Sequence, residues 1–287
     1  MSLIDFESLI KKADELPPLP GSTVKLISLL SGSDGKVEEI TNVIKFDPAL
    51  TLKLLRLANS AFSASKTTIT SVHEAVSRLG TRRILSLALA SHSRPMMESR
   101  VSAYGYHEGE LWRHSVISMM VAENAQNFCQ VSLPPAGSTA ALLHDIGKLV
   151  MACFLDRQIL ALIRESQAEM NLTPYDAETQ ILGMNHAELG GLIARHWELP
   201  DTIVTGITYH HNPDQGFDLI CDVVYLANVG AKNVSAKMEE NPERQNISPQ
   251  SAERLGFSLG DMDRLCDDSL AAFSHVANLF GASGPPK

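Results

Sequence analysis

His144-Asp145 joins an imidazole to a carboxylate, the nitrogen and oxygen donors that a divalent transition metal accepts. The pair closes the apolar stretch Ala140-Ala141-Leu142-Leu143 and is followed by Gly147, so a helix here turns both side chains into the protein. A buried, ionised aspartate is costly unless a cation or hydrogen-bond donors compensate it. Ten histidines in 287 residues produce such a pair by accident often enough that its company must decide. Glu110 and His114 are four residues apart, about 6 Å across one helical face, a spacing that suits one ion or an ordinary surface pair. His186 stands at a candidate helix start, where a capping segment beside Asn185 explains it equally well. His210-His211 precedes Asn212-Pro213, and adjacent imidazoles repel when protonated but gain by staying neutral on a metal. Together, on antiparallel helices, these positions are better explained by one site than by separate accidents. His73, His92, His107, His196 and His275 have no such company and read as surface or satisfied core residues.

The elements that must position these groups are helical almost throughout. Apolar residues recur at three and four, alternating strand-like runs are nearly absent, and an all-α fold follows. A short helix over residues 4–13 is stopped by Leu16-Pro17-Pro18-Leu19-Pro20, an extended segment with missing N–H donors. A second helix starts near Ser22, Gly32 and Gly35 break it, and residues 36–46 form a third. Asp47-Pro48 signals a strong start, and the leucine-rich helix after it is apolar nearly all round, so it belongs inside a bundle and ends at Asn59-Ser60. A loop over 61–70 and helices over 72–79 and 81–90 follow. The pattern weakens over 91–109, the candidate boundary between front and back bundles. Helices are then expected over 110–128, 139–149 and 156–170, from Thr173-Pro174, from a capping box at Asn185-His186-Ala187-Glu188, from Asp201 to His210, and over 217–231. Residues 237–250 read as a loop, 249–255 and 259–280 as helices, and the Gly-Pro-rich tail as disordered.

A net charge of −9 argues against general nucleic-acid binding. The Arg78, Arg82 and Arg83 cluster reads as a solvated face. Cys129, Cys153, Cys221 and Cys266 form no ligand ladder and read as reduced, mostly buried thiols. Neither a leader nor a membrane span is legible, so a cytoplasmic protein without membrane attachment is expected.

At its motifs the chain resembles the HD superfamily of metal-dependent phosphohydrolases, and specifically the HDOD family. The likeness rests on residues 16–20, Asp47-Pro48-Ala49-Leu50, the 54–60 segment Leu-Leu-Arg-Leu-Ala-Asn-Ser, the 74–80 segment Glu-Ala-Val-Ser-Arg-Leu-Gly, and Leu111-Trp112-Arg113-His114. The resemblance implies an HD-like helical bundle carrying a front bundle. The expected HDOD domain covers 1–232, with a front subdomain at about 1–100 and an HD-like subdomain at about 108–232, and 233–287 is a C-terminal helical extension. The back half is also similar to the HD-GYP branch. Carried over from it, His144 and Asp145 match the central metal pair, with Asp145 bridging ions. His186, His210 and His211 match the second-metal histidines, Glu110 and His114 match a Glu-x-x-x-His pair seen with an extra metal, and Lys148 matches a phosphate-binding lysine. Two departures stand out. The acidic ligand expected on the last core helix aligns with Asn228, a weak ligand at best, with Asp222 on another helical face. The segment from His211 to Phe217 lacks the Gly-Tyr-Pro loop linked to cyclic di-GMP.

Two functions follow from the resemblance. The preferred one is a bacterial signalling protein, in which the HD-like pocket retains one or two divalent ions and the chain meets a signalling protein or a nucleotide-like ligand, its input coming from a separate molecule. The alternative is a metal-dependent phosphohydrolase acting on a nucleotide or phosphodiester other than cyclic di-GMP. There Asp145 would bridge the ions and orient an activated water, and Lys148 would stabilise charge on phosphorus oxygens. Imidazole-rich ligation suits iron, manganese, nickel or zinc alike.

Overall fold

A computed structural model describes residues 5–15, 21–30, 36–61, 69–97, 107, 109–239 and 244–280. The described residues are helical and contain no strand. The proline segment at 16–20, the glycine breaks at 32 and 35, most of the expected loop at 61–70, part of the weak stretch at 91–109 and the tail at 281–287 lie outside them.

The front of the chain comprises α1 (Phe6–Lys12), α2 (Gly21–Leu30), α3 (Val37–Lys45), α4 (Pro48–Ala61), α5 (Val72–Leu79) and α6 (Thr81–Met97). Asp47 starts α4 as its side chain predicts, accepting from the Leu50 N–H at 2.9 Å. Ser71 caps α5 through the Glu74 N–H. Asn59 lies in the last described turn of α4, beside the expected end at Asn59-Ser60, and exchanges hydrogen bonds with both the N–H and the C=O of Ile69. The α6 helix outruns the expected end at 90, because Ser91 and Ser93 pack into the core, so the polar composition there does not mark solvent. His92, on that turn, is a satisfied residue: its Nδ1 meets the Thr23 hydroxyl at 2.5 Å, and its Nε2 lies 3.5 Å from Asp47.

The back of the chain comprises α7 (Glu110–Ala125), α8 (Gly137–Leu143), α9 (Ile146–Phe154), α10 (Arg157–Met170), α11 (Pro174–Leu182), α12 (His186–His196), α13 (Asp201–Thr208), the short α14 (Pro213–Gly216) and α15 (Leu219–Met238). After these come α16 (Pro249–Leu255) and α17 (Met262–Phe280). The α7 helix is central, packed by α15, α8, α17 and α6. The front helices meet the back ones through the contacts of α6 with α7 and α8 and through the Trp112 indole, which donates to the Ala90 carbonyl at 3.0 Å. The first helix, α1, packs on α9 and α12. Further, α15 runs seven residues past its expected end at 231, because Asn233 and Val234 are buried under the C-terminal segment and Asn233 exchanges hydrogen bonds with the Gln245 backbone.

The largest departure lies at the chemistry. One helix was expected over 139–149, whereas the chain forms α8 and α9 with a break at His144-Asp145, where Asp145 has φ −98° and ψ 14°. Apolar side chains run through the break on both sides, so periodicity alone cannot register it. The break lets two consecutive side chains reach one point, which neighbours 100° apart on a continuous helix do not do.

Candidate metal centre

Asp145 is the hub, completely buried and surrounded by imidazoles. Its Oδ2 lies 3.4 Å from His144 Nε2, 3.8 Å from His114 Nε2 and 2.8 Å from Lys148 Nζ. Its Oδ1 lies 3.3 Å from His186 Nε2 and 3.8 Å from His210 Nε2. His211 joins through its Nε2, 3.0 Å from that of His186. Two groups of donors result, His114 with His144 and Asp145, and His186 with His210 and His211, each within 4.8 Å. The carboxylate stands between them, one oxygen toward each.

Local structure delivers each group. His114 is on the second turn of α7, and His144 and Asp145 occupy the α8–α9 break. His186 opens α12 behind a complete capping box, in which the Asn185 side chain takes the Ala187 and Glu188 N–H groups and Glu188 returns to the Asn185 N–H. His210 and His211 fill the turn between α13 and α14. Gly147 lets α9 and α12 meet, since a Cβ there would stand 2.0 Å from the His186 carbonyl oxygen.

The ring tautomers are set from behind. His144 Nδ1–H donates to the Ala141 carbonyl at 2.6 Å, and His210 Nδ1–H to the Ile207 carbonyl at 2.7 Å. In each neutral ring the lone pair is then at Nε2, facing Asp145. Burial, the largest influence, holds His144, His186, His210 and His211 below the ordinary imidazole value, and His114 falls to about 3 through burial and the neighbouring His144. Burial pushes the Asp145 carboxyl upward, but His144, Lys148, His186 and His114 outweigh it and hold the group well below the usual carboxylate range. The site therefore presents neutral nitrogen lone pairs around an ionised carboxylate.

That donor set fits a divalent ion. Asp145 Oδ1 and His210 Nε2 are fully buried with no hydrogen-bond partner, a cost that a cation between them removes. The paired Nε2 atoms of His114 with His144, at 3.3 Å, and His186 with His211 approach as ligands of a shared ion would.

The remaining expected residues lie further out. The Glu110 carboxylate turns back to accept from the His107 N–H at 2.8 Å and is in neither donor group. Asn228 is buried on α15, its Oδ1 without a partner. Asp222 points away, held by the Arg254 guanidinium at 2.8 and 2.7 Å. Three residues were missed by sequence reasoning. Glu178, at 0 % exposure, accepts from both the His186 N–H and Nδ1–H, each at 2.6 Å, and burial pushes its carboxyl up to about 8. The Tyr175 ring is centred 4.9 Å from that of His211. Lys232, one turn beyond Asn228, has its pKa lowered by burial and then by Lys148. Only Glu178 left a trace in the sequence, as an acid inside the apolar face of α11.

The HDOD domain family matches residues 16–213. A curated relative, an uncharacterised protein of Treponema pallidum (strain Nichols), is 25% identical over 222 residues, which cover 76% of this chain and 42% of the relative, so the chain spans less than half of that protein. Among solved structures, a candidate signal transduction protein of Marinobacter aquaeolei VT8 superposes with a TM-score of 0.70 at 21% identity, over 94% of this chain and 64% of the other. An HDOD domain protein of unknown function from Geobacter sulfurreducens gives 0.68 at 21% identity, over 96% and 99%. A candidate phosphohydrolase of Shewanella amazonensis SB2B gives 0.64 at 22% identity, over 95% and 97%. These likenesses establish a shared fold, and with the family match over more than half of its length the chain belongs to the HDOD domain family.

Proposed function

We propose that this HDOD protein is a signalling component built around a divalent metal centre. The observation that carries the reading is the buried Asp145 carboxylate, with one oxygen facing His114 and His144 and the other facing His186 and His210. His114, His144, Asp145, His186, His210 and His211 would hold the ion or ions, with Asn228 a weak further donor and Glu110 able to join only by leaving His107. A bound divalent ion supplies Lewis acidity and structural cross-linking between α7, α9, α12 and α13. Residues 1–232 form the HDOD domain, with front and HD-like parts at about 1–100 and 108–232. In the extension expected from 233 onward, α17 packs on α7, α15 and α4. Regulation suits a site in which a neutral amide, Asn228, stands where a further carboxylate would strengthen ligation. The description of the Marinobacter aquaeolei protein as a candidate signal transduction protein is in keeping.

Phosphohydrolysis is the second reading, favoured by Lys148. Its ammonium lies 2.8 Å from Asp145 and would neutralise a phosphoryl oxygen drawn to the site, while Asp145 would orient the attacking water. The fold likeness to the Shewanella amazonensis protein accords with this. The test is metal content after purification without chelator, for wild type, Asp145→Ala and the His210→Ala, His211→Ala double variant. Stoichiometric metal in the wild type and loss in both variants supports the centre, and phosphodiester assays then separate the two readings. A wild type that stays metal-free after reloading with manganese or iron refutes both.

A further inference from the structure

We infer that Glu178 is a positioning residue of this centre, a buried outer carboxylate that fixes His186 with its Nε2 lone pair directed at Asp145. The inference rests on the reading of His186 as a ligand. One oxygen of Glu178 accepts two hydrogen bonds from the same residue, the His186 N–H and the ring Nδ1–H, both at 2.6 Å. The backbone bond completes the cap of α12. Asn185 takes the N–H groups of Ala187 and Glu188 but not that of His186, and Glu178 reaches it from α11. The ring bond sets the tautomer, which leaves Nε2 as the acceptor at 3.3 Å from Asp145 Oδ1 and 3.0 Å from His211 Nε2.

Cap completion alone does not call for an acid. A neutral oxygen would serve, and a carboxylate with no exposure is an expensive choice in a core. What the acid adds is a group that can carry charge behind the imidazole: burial raises its carboxyl to about 8, and a cation on His186 would favour the carboxylate form. His144 and His210 are backed by backbone carbonyls, which are neutral, whereas His186 is backed by a carboxyl group. An outer carboxylate orients a ligating histidine and raises its basicity, which would strengthen His186 as a nitrogen donor. The arrangement also ties α11 to the centre, since Glu178 lies on that helix and Tyr175, one turn earlier, covers His211.

The experiment is Zn2+ binding to the full chain, by competition with a chromophoric chelator, for wild type, Glu178→Ala, Glu178→Gln and His186→Ala, with nitrogen-15 NMR of the imidazoles in the metal-free proteins. Glu178→Ala should weaken Zn2+ binding about 10–100-fold, and His186 should lose its Nδ1–H tautomer. Glu178→Gln offers an oxygen for the same two bonds without the charge, so the tautomer should stay while affinity falls less. Wild-type affinity in Glu178→Ala, alongside weakened binding in His186→Ala, overturns the inference and leaves the metal reading standing. Wild-type affinity in His186→Ala removes the ligand reading and this inference with it. If Glu178→Ala does not fold, Glu178→Gln decides, because unchanged affinity there refutes a role for the charge.

Discussion

Replacing Gly147 by alanine adds one methyl group at the point where α9 and α12 touch. The new Cβ would sit 2.0 Å from the His186 carbonyl oxygen, 2.9 Å from its carbon and 3.0 Å from the Gly190 nitrogen. All three are backbone atoms, so no rotamer can yield, and the helices must part by at least about 1 Å, given that interiors are packed without slack. Overpacking costs about 1–3 kcal/mol, and a backbone clash belongs at the upper end. Alanine in a helix returns up to about 1 kcal/mol. The net loss, about 2 kcal/mol, lowers the melting temperature by about 4–8 °C in a domain of this size. The shift also carries His186 away from Asp145, now 3.3 Å distant, so Zn2+ affinity should fall with stability. Thermal melts and chelator competition read both, with Gly21→Ala as control, since nothing lies within 4 Å of a Cβ there. A Gly147→Ala protein that melts with the wild type and binds Zn2+ equally well would refute the idea that this contact sets the site.

Other predictions concern the surroundings. Arg254→Met leaves Asp222, 2 % exposed, without its two charge-assisted bonds and frees Asp214 on α14. Urea denaturation should show a loss of about 1.5–3 kcal/mol, toward the lower figure because the guanidinium is 40 % exposed, whereas Arg264→Ala, removing an exposed cation, should be near neutral. Burial raises the Cys129 and Cys266 thiols to about 11 and Cys221 to about 12 from a usual 9.0. At pH 8 they should therefore react with an aromatic disulfide reagent about a hundredfold or more slower than a free thiol, and fast labelling of all three would contradict the packing around them. The His92 pKa is lowered by burial, with Asp47 opposing and Lys53 reinforcing, from 6.5. Its contribution to stability is thus full above that value and lost as pH falls below it. His92→Gln should lessen the drop in melting temperature between about pH 7 and pH 5, and an unchanged drop would exclude His92 as a contributor.

The helical class, the capped starts at Asp47, Thr173 and Asn185, and the company of histidines around His144-Asp145 were all legible in the chain. Each depends on residues within a few positions of one another: a side-chain oxygen reaching an N–H two or three residues on, or an apolar face recurring with the helical period. The resemblance to HDOD proteins drew on equally short motifs, of which Asp47-Pro48 is one. Asp222 shows the limit of helical phase, which set it on another face from Asn228 but could not name Arg254 as its partner.

What only tertiary structure decided is which of those local pieces meet. The break that turns α8 into α9 is flanked by apolar residues on both sides, and just beyond it α12 approaches over Gly147, a contact across 39 positions of sequence. The turning of Glu110 toward His107 and of Glu178 toward His186 are choices between partners that spacing leaves equal. The central position of Asp145 likewise depends on α7, α9, α12 and α13 converging from separate parts of the chain. Sequence set the types of donor available, because ligand chemistry belongs to the residue. Packing set their tautomers, charges and distances, because burial and second partners exist only once the helices are assembled.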